Sequence, residues 1–189
     1  MVSRDGHTGI TLRAVAREAK VSAPAIYLQF ADRETLVLAL VERTWRELAS
    51  LMQVADQQAG ADGAFAQLQA QLLAYVDYAS SNPMHYELLF GVSPKAHAIA
   101  PRDALTAPVY WTLEAAVTRC RAEGHQLPLP TAEQAYEPNA VLLFVIAHGF
   151  IALARTAQIH PTSSQQGIRD FVAHCLNTLV VRPADGCQS

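Results

Sequence analysis

Apolar residues recur at intervals of three and four along almost the whole chain, and no convincing period-two run of β-branched residues interrupts them. Side chains spaced in this way share one stripe of an α-helix, whereas a half-buried strand needs strict alternation. The pattern commits the chain to an all-α fold. With 51% of its 189 residues hydrophobic, it has the apolar surface needed to offset the entropy of ordering and to fill a sizeable core. The length suits one domain or two small ones.

The same composition excludes several classes. The richest apolar stretch, Ala140 to Ala154, is broken by His148 and Gly149 and ends at Arg155, so no membrane span is expected. The start, Met-Val-Ser-Arg-Asp-Gly-His, lacks the apolar run of a signal peptide, and a cytoplasmic protein is expected. Cys120, Cys175 and Cys187 are odd in number and widely spaced, as suits reduced thiols. His85 and Glu87 point to different helix faces, and no His-x-x-x-His or Glu-x-x-His pair is present, so neither a metal nor another cofactor is expected. No nucleophile elbow, phosphate-binding glycine loop or dinucleotide fingerprint supports an enzyme.

Helix punctuation divides the chain. Thr11 and Ser22 each precede a short helical run and Asp32 a long one, which defines a small N-terminal module. From Arg33 one amphipathic helix runs to about Gln57 and links head to body. Further helices are expected over about Asp62 to Ser80, Met84 to Phe90, Asp103 to Glu123 (ended by Gly124), Thr131 to Gln158 and Ser164 to Val181, with Gly91 to Pro101 irregular and the tail from Pro183 frayed. Charge follows the same division: the overall −3 conceals seven basic against five acidic residues over 1–46, and seven against twelve beyond. A basic head on an acidic body is the distribution expected if only the head meets phosphates.

Residues 11 to 36 carry the motif. The first short helix turns Leu12, Val15, Ala16 and Ala19 inward, Lys20-Val21-Ser22 forms a tight turn with Val21 plugging its corner, and the second helix sends Ile26 and Phe30 into the core. Pro24 is tolerated because first-turn N–H groups have no intrahelical partner. The outer face is then free to enter a major groove, with Ala23, Pro24, Ala25 and Tyr27 nearest the bases. Small residues can approach thymine methyl groups, Tyr27 and Gln29 can donate to phosphates, and Arg33 supplies charge beside the start of the next helix. Thr11, Arg13 and Ser22 complete the expected DNA-facing set.

In Thr11-Leu-x-x-Val-Ala, Val21-Ser22, Tyr27-x-x-Phe30 and Arg33-Glu-x-Leu36 the chain resembles the TetR family of transcriptional regulators. Asn82-Pro83, Tyr86-x-Leu-Leu-Phe90 and His148-Gly149 resemble one C-terminal subgroup of that family. The resemblance implies a DNA-binding head over 1–46 and a ligand-binding, dimerising body over 47–189. It implies a homodimer joined by helices at about 137–158 and 164–181, a palindromic operator with half-sites about 34–36 Å apart or a multiple of that spacing, and an effector that shifts the long helix. Lys20 stands where the family usually has glycine in a left-handed conformation, at a cost of roughly 1 kcal/mol. A helix normally precedes the motif, yet only five residues stand before Gly6. Its absence is expected to expose Val15, Ile26 and Leu36. Either the true start lies upstream of Met1 or DNA binding is impaired, leaving a ligand-binding dimer; the retained apolar residues favour the upstream start.

In the body, Tyr75, Phe90, Tyr110, Trp111, Phe144 and His148 can line a cavity for a small, largely apolar effector. They fit a plain aromatic core equally well, and His148 fits a hydrogen-bonded core histidine. Gly149 allows a close helix approach. A small helical enzyme using His148 is the remote alternative.

Overall fold

The computed structural model describes residues 11–91, 102–130, 136–156 and 164–181. The described residues form eight α-helices: α1 (Leu12–Glu18), α2 (Ala23–Gln29), α3 (Arg33–Gln58), α4 (Ala64–Ser81), α5 (Pro83–Gly91), α6 (Arg102–Ala122), α7 (Pro138–Arg155) and α8 (Gln165–Leu179). Among them the only β-pairing is an isolated antiparallel bridge between Gln126 and Val181. The expectations for Gly6, for the connection after Gly91 and for the tail with Cys187 lie outside the described residues.

Local chemistry sets the helix ends. Thr11 Oγ1 accepts from Ala14 N at 3.2 Å and Ser22 Oγ from Ala25 N at 3.3 Å, each satisfying a first-turn donor. Asp32 Oδ1 accepts from both the backbone N and the hydroxyl of Thr35 at 2.8 Å, and that backbone bond is the main cause holding its carboxyl below the ordinary range. α1 and α6 end in the same way. Lys20 N bonds to Arg17 O and Val21 N to Ala16 O; Gly124 N bonds to Arg121 O and His125 N to Cys120 O. This double closure needs a left-handed residue, supplied by Lys20 at φ 54° and Gly124 at φ 84°.

Two compact units result, one taking residues up to 47 with 82–108 and the other residues 48–81 with 109–189. In the first, Leu12 and Ala16 of α1 and Leu36, Val37, Val41 and Trp45 of α3 are buried, and Trp45 meets Phe90 edge-on with centroids 5.5 Å apart. In the second, α4 packs against α7 and α8 around Leu68, Leu72, Tyr75, Val76, Ile151 and Leu176. α4 starts under a carboxylate from far along the chain, since Glu123 Oε1 and Oε2 accept from Ala64 N at 3.1 and 3.0 Å. α7 begins at Pro138 rather than near Thr131, because Glu137 before the proline is extended and caps the helix through Asn139 N at 3.1 Å.

Candidate nucleic-acid interface and effector cluster

α1 and α2 pack against each other across the turn at residues 19–22. The inward side is narrower than the sequence implies. Leu12 and Ala16 are buried and Val15 is half-buried, but Ala19 is exposed and Val21 is 45% exposed. Val21 closes the corner with its backbone N–H and leaves its side chain outside. Ile26 and Phe30 are half-buried, whereas Leu36, expected to be exposed, is only 3% exposed because it joins the inward stripe of α3.

The expected DNA-facing residues differ in exposure. Thr11, Arg13, Ser22, Pro24, Ala25, Tyr27 and Gln29 are exposed, while Ala23 and Arg33 are half-buried. The Thr11 and Ser22 hydroxyls accept as caps, which fixes the two helix starts and leaves each hydroxyl its own O–H to donate. Sequence reasoning passed over Leu28, which is 86% exposed on the outer side of α2. A helical wheel anchored on Ile26 and Phe30 would have found it.

In the second unit Phe144 lies among three rings. Its centroid is 5.1 Å from Tyr75, 5.2 Å from Tyr110 and 5.9 Å from His148, which it meets nearly parallel at 9°. The Tyr75 hydroxyl and His148 Nδ1 share a 2.9 Å hydrogen bond. Burial pushes the His148 pKa below its ordinary value and the Tyr110 pKa above its own, so at neutral pH both groups are uncharged. The cluster combines the buried rings of Tyr75 and Phe144 with the half-buried Tyr110 and His148, so one neutral imidazole and two phenols sit among apolar rings. Trp111 does not join it: it is 64% exposed, because it follows the core residue Val109 by two positions, about 200° around the helix. Phe90 belongs to the first unit, where it packs on Trp45 and on Tyr86, 4.9 Å away. Among the described residues no three His, Cys, Asp or Glu side chains converge as a metal site.

Residues 2–40 match the model for bacterial regulatory proteins of the tetR family, and residues 68–179 match the tetracyclin repressor-like C-terminal domain. The chain belongs to the TetR family. It is a DNA-binding transcriptional regulator whose helix-turn-helix is α1–turn–α2. The solved structures agree on the fold. A protein of unknown function from Rhodococcus sp. RHA1 is 24% identical, with a TM-score of 0.72 over 94% of this chain and 89% of its own. A protein from Shewanella sp. PV-4 assigned to the tetR family is 22% identical, with a TM-score of 0.65 over 96% and 93%. The TetR family transcriptional regulator PfmR from Thermus thermophilus is 14% identical, with a TM-score of 0.57 over 93% and 92%. No curated protein matches the sequence.

Proposed function

We propose that this TetR family member is a cytoplasmic, effector-responsive repressor that binds a palindromic operator as a homodimer, acting by binding and not by catalysis. Residues 1–46 form the DNA-binding head and 47–189 the effector-binding and dimerising body. The observation that carries the reading is the doubly capped helix pair, which leaves the outer side of α2 free. Pro24 and Ala25 then meet the major groove, with the half-buried Ala23 turned away from it, while Thr11, Arg13, Ser22, Tyr27, Gln29 and Arg33 hold phosphates.

The effector site is the cluster of Tyr75, Tyr110, Phe144 and His148, which suits a small, flat, largely apolar molecule with one polar group for the imidazole. α7 and α8 supply the dimer contact. Val145 and Leu153 of α7 and Phe171 of α8 are exposed, and a side chain at Gly149 would meet no atom within 4 Å. α7 is the one described helix long and apolar enough to cross a membrane, and 44% of that window is buried in the protomer. A second copy packed on α7 and α8 would cover such a surface as a four-helix interface.

The deciding experiment measures binding of the chain to DNA from its own promoter region at two salt concentrations, with mass by sedimentation. Specific, salt-sensitive binding by a dimer is the expected result. A dimer that does not distinguish promoter DNA from unrelated DNA would leave a ligand-binding protein in place of a repressor.

A further inference from the structure

We infer that the operator is read chiefly through thymine methyl groups, by an apolar tip of α2 made of Leu28 with Pro24 and Ala25. The inference rests on the reading above, in which the outer side of α2 enters the major groove, and adds what that side recognises. At about 100° per residue, Ile26, Phe30 and Ala23 cluster on one side of the helix, and these are its half-buried residues. Leu28 stands about 200° from Ile26, opposite that cluster, with Pro24 and Ala25 beside it. All three are exposed, Leu28 by 86%.

One exposed leucine is ordinary on a protein surface. A contiguous apolar tip on the outermost line of a seven-residue reading helix is not, because base edges are usually recognised there by paired donors and acceptors. The sequence of α2, Ala-Pro-Ala-Ile-Tyr-Leu-Gln, holds no arginine or lysine for guanine and no carboxylate for cytosine. Its polar side chains, Tyr27 and Gln29, lie about 100° to either side of Leu28, where the groove walls carry phosphates. The Ser22 hydroxyl is engaged by Ala25 N. The major-groove feature that an apolar tip can recognise is the thymine C5 methyl. Arg13, Arg17 and Lys20, all exposed on α1 and the turn, supply the phosphate attraction that such a tip cannot.

The test selects binding sites for the full chain from a random duplex pool. Affinity is then compared between the selected duplex and copies in which single thymines are replaced by uracil, which deletes only the methyl. The expected result is a loss of about fourfold per contacted methyl, at equivalent places in the two half-sites. In Leu28→Ala, whose truncated side chain is exposed and outside the core, thymine and uracil duplexes should bind within about twofold of each other. Circular dichroism confirms that the variant is folded. Equal wild-type affinity for thymine and uracil duplexes, with enrichment intact, overturns the inference and leaves the DNA reading standing. So does a uracil penalty that persists undiminished in Leu28→Ala. Failure to enrich any sequence removes the DNA reading and this inference together.

Discussion

Asp56, near the end of α3, should matter to stability mainly through a buried amide that it satisfies, and its partner Gln71 less than its burial suggests. Asp56 Oδ1 accepts from Gln71 Nε2 at 2.6 Å and from Arg119 Nη2, and Oδ2 accepts from Gln67 Nε2 at 3.4 Å. Arg119 Nε in turn donates to Gln67 Oε1 at 3.1 Å. Gln71 is 1% exposed, and its Oε1 has no partner among the described residues. Asp56→Ala would strand the Gln71 amide, at about 1–3 kcal/mol for a buried group left unsatisfied. The ion pair adds less than about 1 kcal/mol, because the Arg119 side chain is 38% exposed. The expected total is about 1–4 kcal/mol.

Gln71→Leu acts in the opposite sense. It removes the stranded Oε1 together with the donor and leaves Asp56 with Arg119 and Gln67, so stability should stay within about 1 kcal/mol of the parent or rise. In the double variant the leucine should return about 1–2 kcal/mol of what Asp56→Ala costs, a coupling that only a shared network produces. Urea unfolding followed at 222 nm, with protomer concentration fixed, reads all four chains. If Gln71→Leu costs as much as Asp56→Ala, or fails to rescue it, the reasoning from unsatisfied groups is wrong.

Two further outcomes follow from the backbone and the effector cluster. Lys20→Val should cost about 1–2 kcal/mol by forcing a β-branched residue into φ 54°, whereas Lys20→Gly should stay within about 1 kcal/mol of the parent, relief of strain offsetting a freer unfolded chain; hydrogen exchange of α1 and α2 amides reads both. Burial holds His148 below its ordinary 6.5, so the unfolded chain takes up that proton first: the contribution of the neutral ring is complete above about pH 6.5 and is lost as pH falls below it towards the depressed folded value. Unfolding titrations between about pH 7.5 and 5.5 should therefore be steeper for the parent than for His148→Phe.

What the sequence disclosed was whatever is decided within a few residues. Thr11, Ser22 and Asp32 were legible as caps because each bonds an N–H three positions on, and Gly124 because one residue type suits the conformation. The strain at Lys20, at φ 54°, was legible only through the family resemblance, since a lysine does not by itself ask for that conformation. Interactions across long separations left no such trace. Glu123 caps α4 from 59 residues away, and Arg119 reaches Asp56 across 63. The aromatic cluster was legible as a set of residue types but not as a set of partners, since only folding decides that Tyr110 turns inward and Trp111 outward.

Two of the eight helices run from one compact unit into the other, and they are built differently where they cross. α3 passes from residue 47 to 48 with no glycine or proline between Arg33 and Gln58, so its hydrogen-bond ladder is unbroken for 26 residues. α6 crosses between Pro108 and Val109, where the proline removes the N–H that would bond the carbonyl four residues earlier. A helix missing that bond bends at lower cost than one that keeps it. Tyr110, two residues beyond the proline, belongs to the aromatic cluster. An effector that displaced Tyr110 would therefore act on a helix already weakened just ahead of it. Whether the head responds then depends on whether the effector binds one pose of α3 more tightly than the other, and not on how tightly it binds.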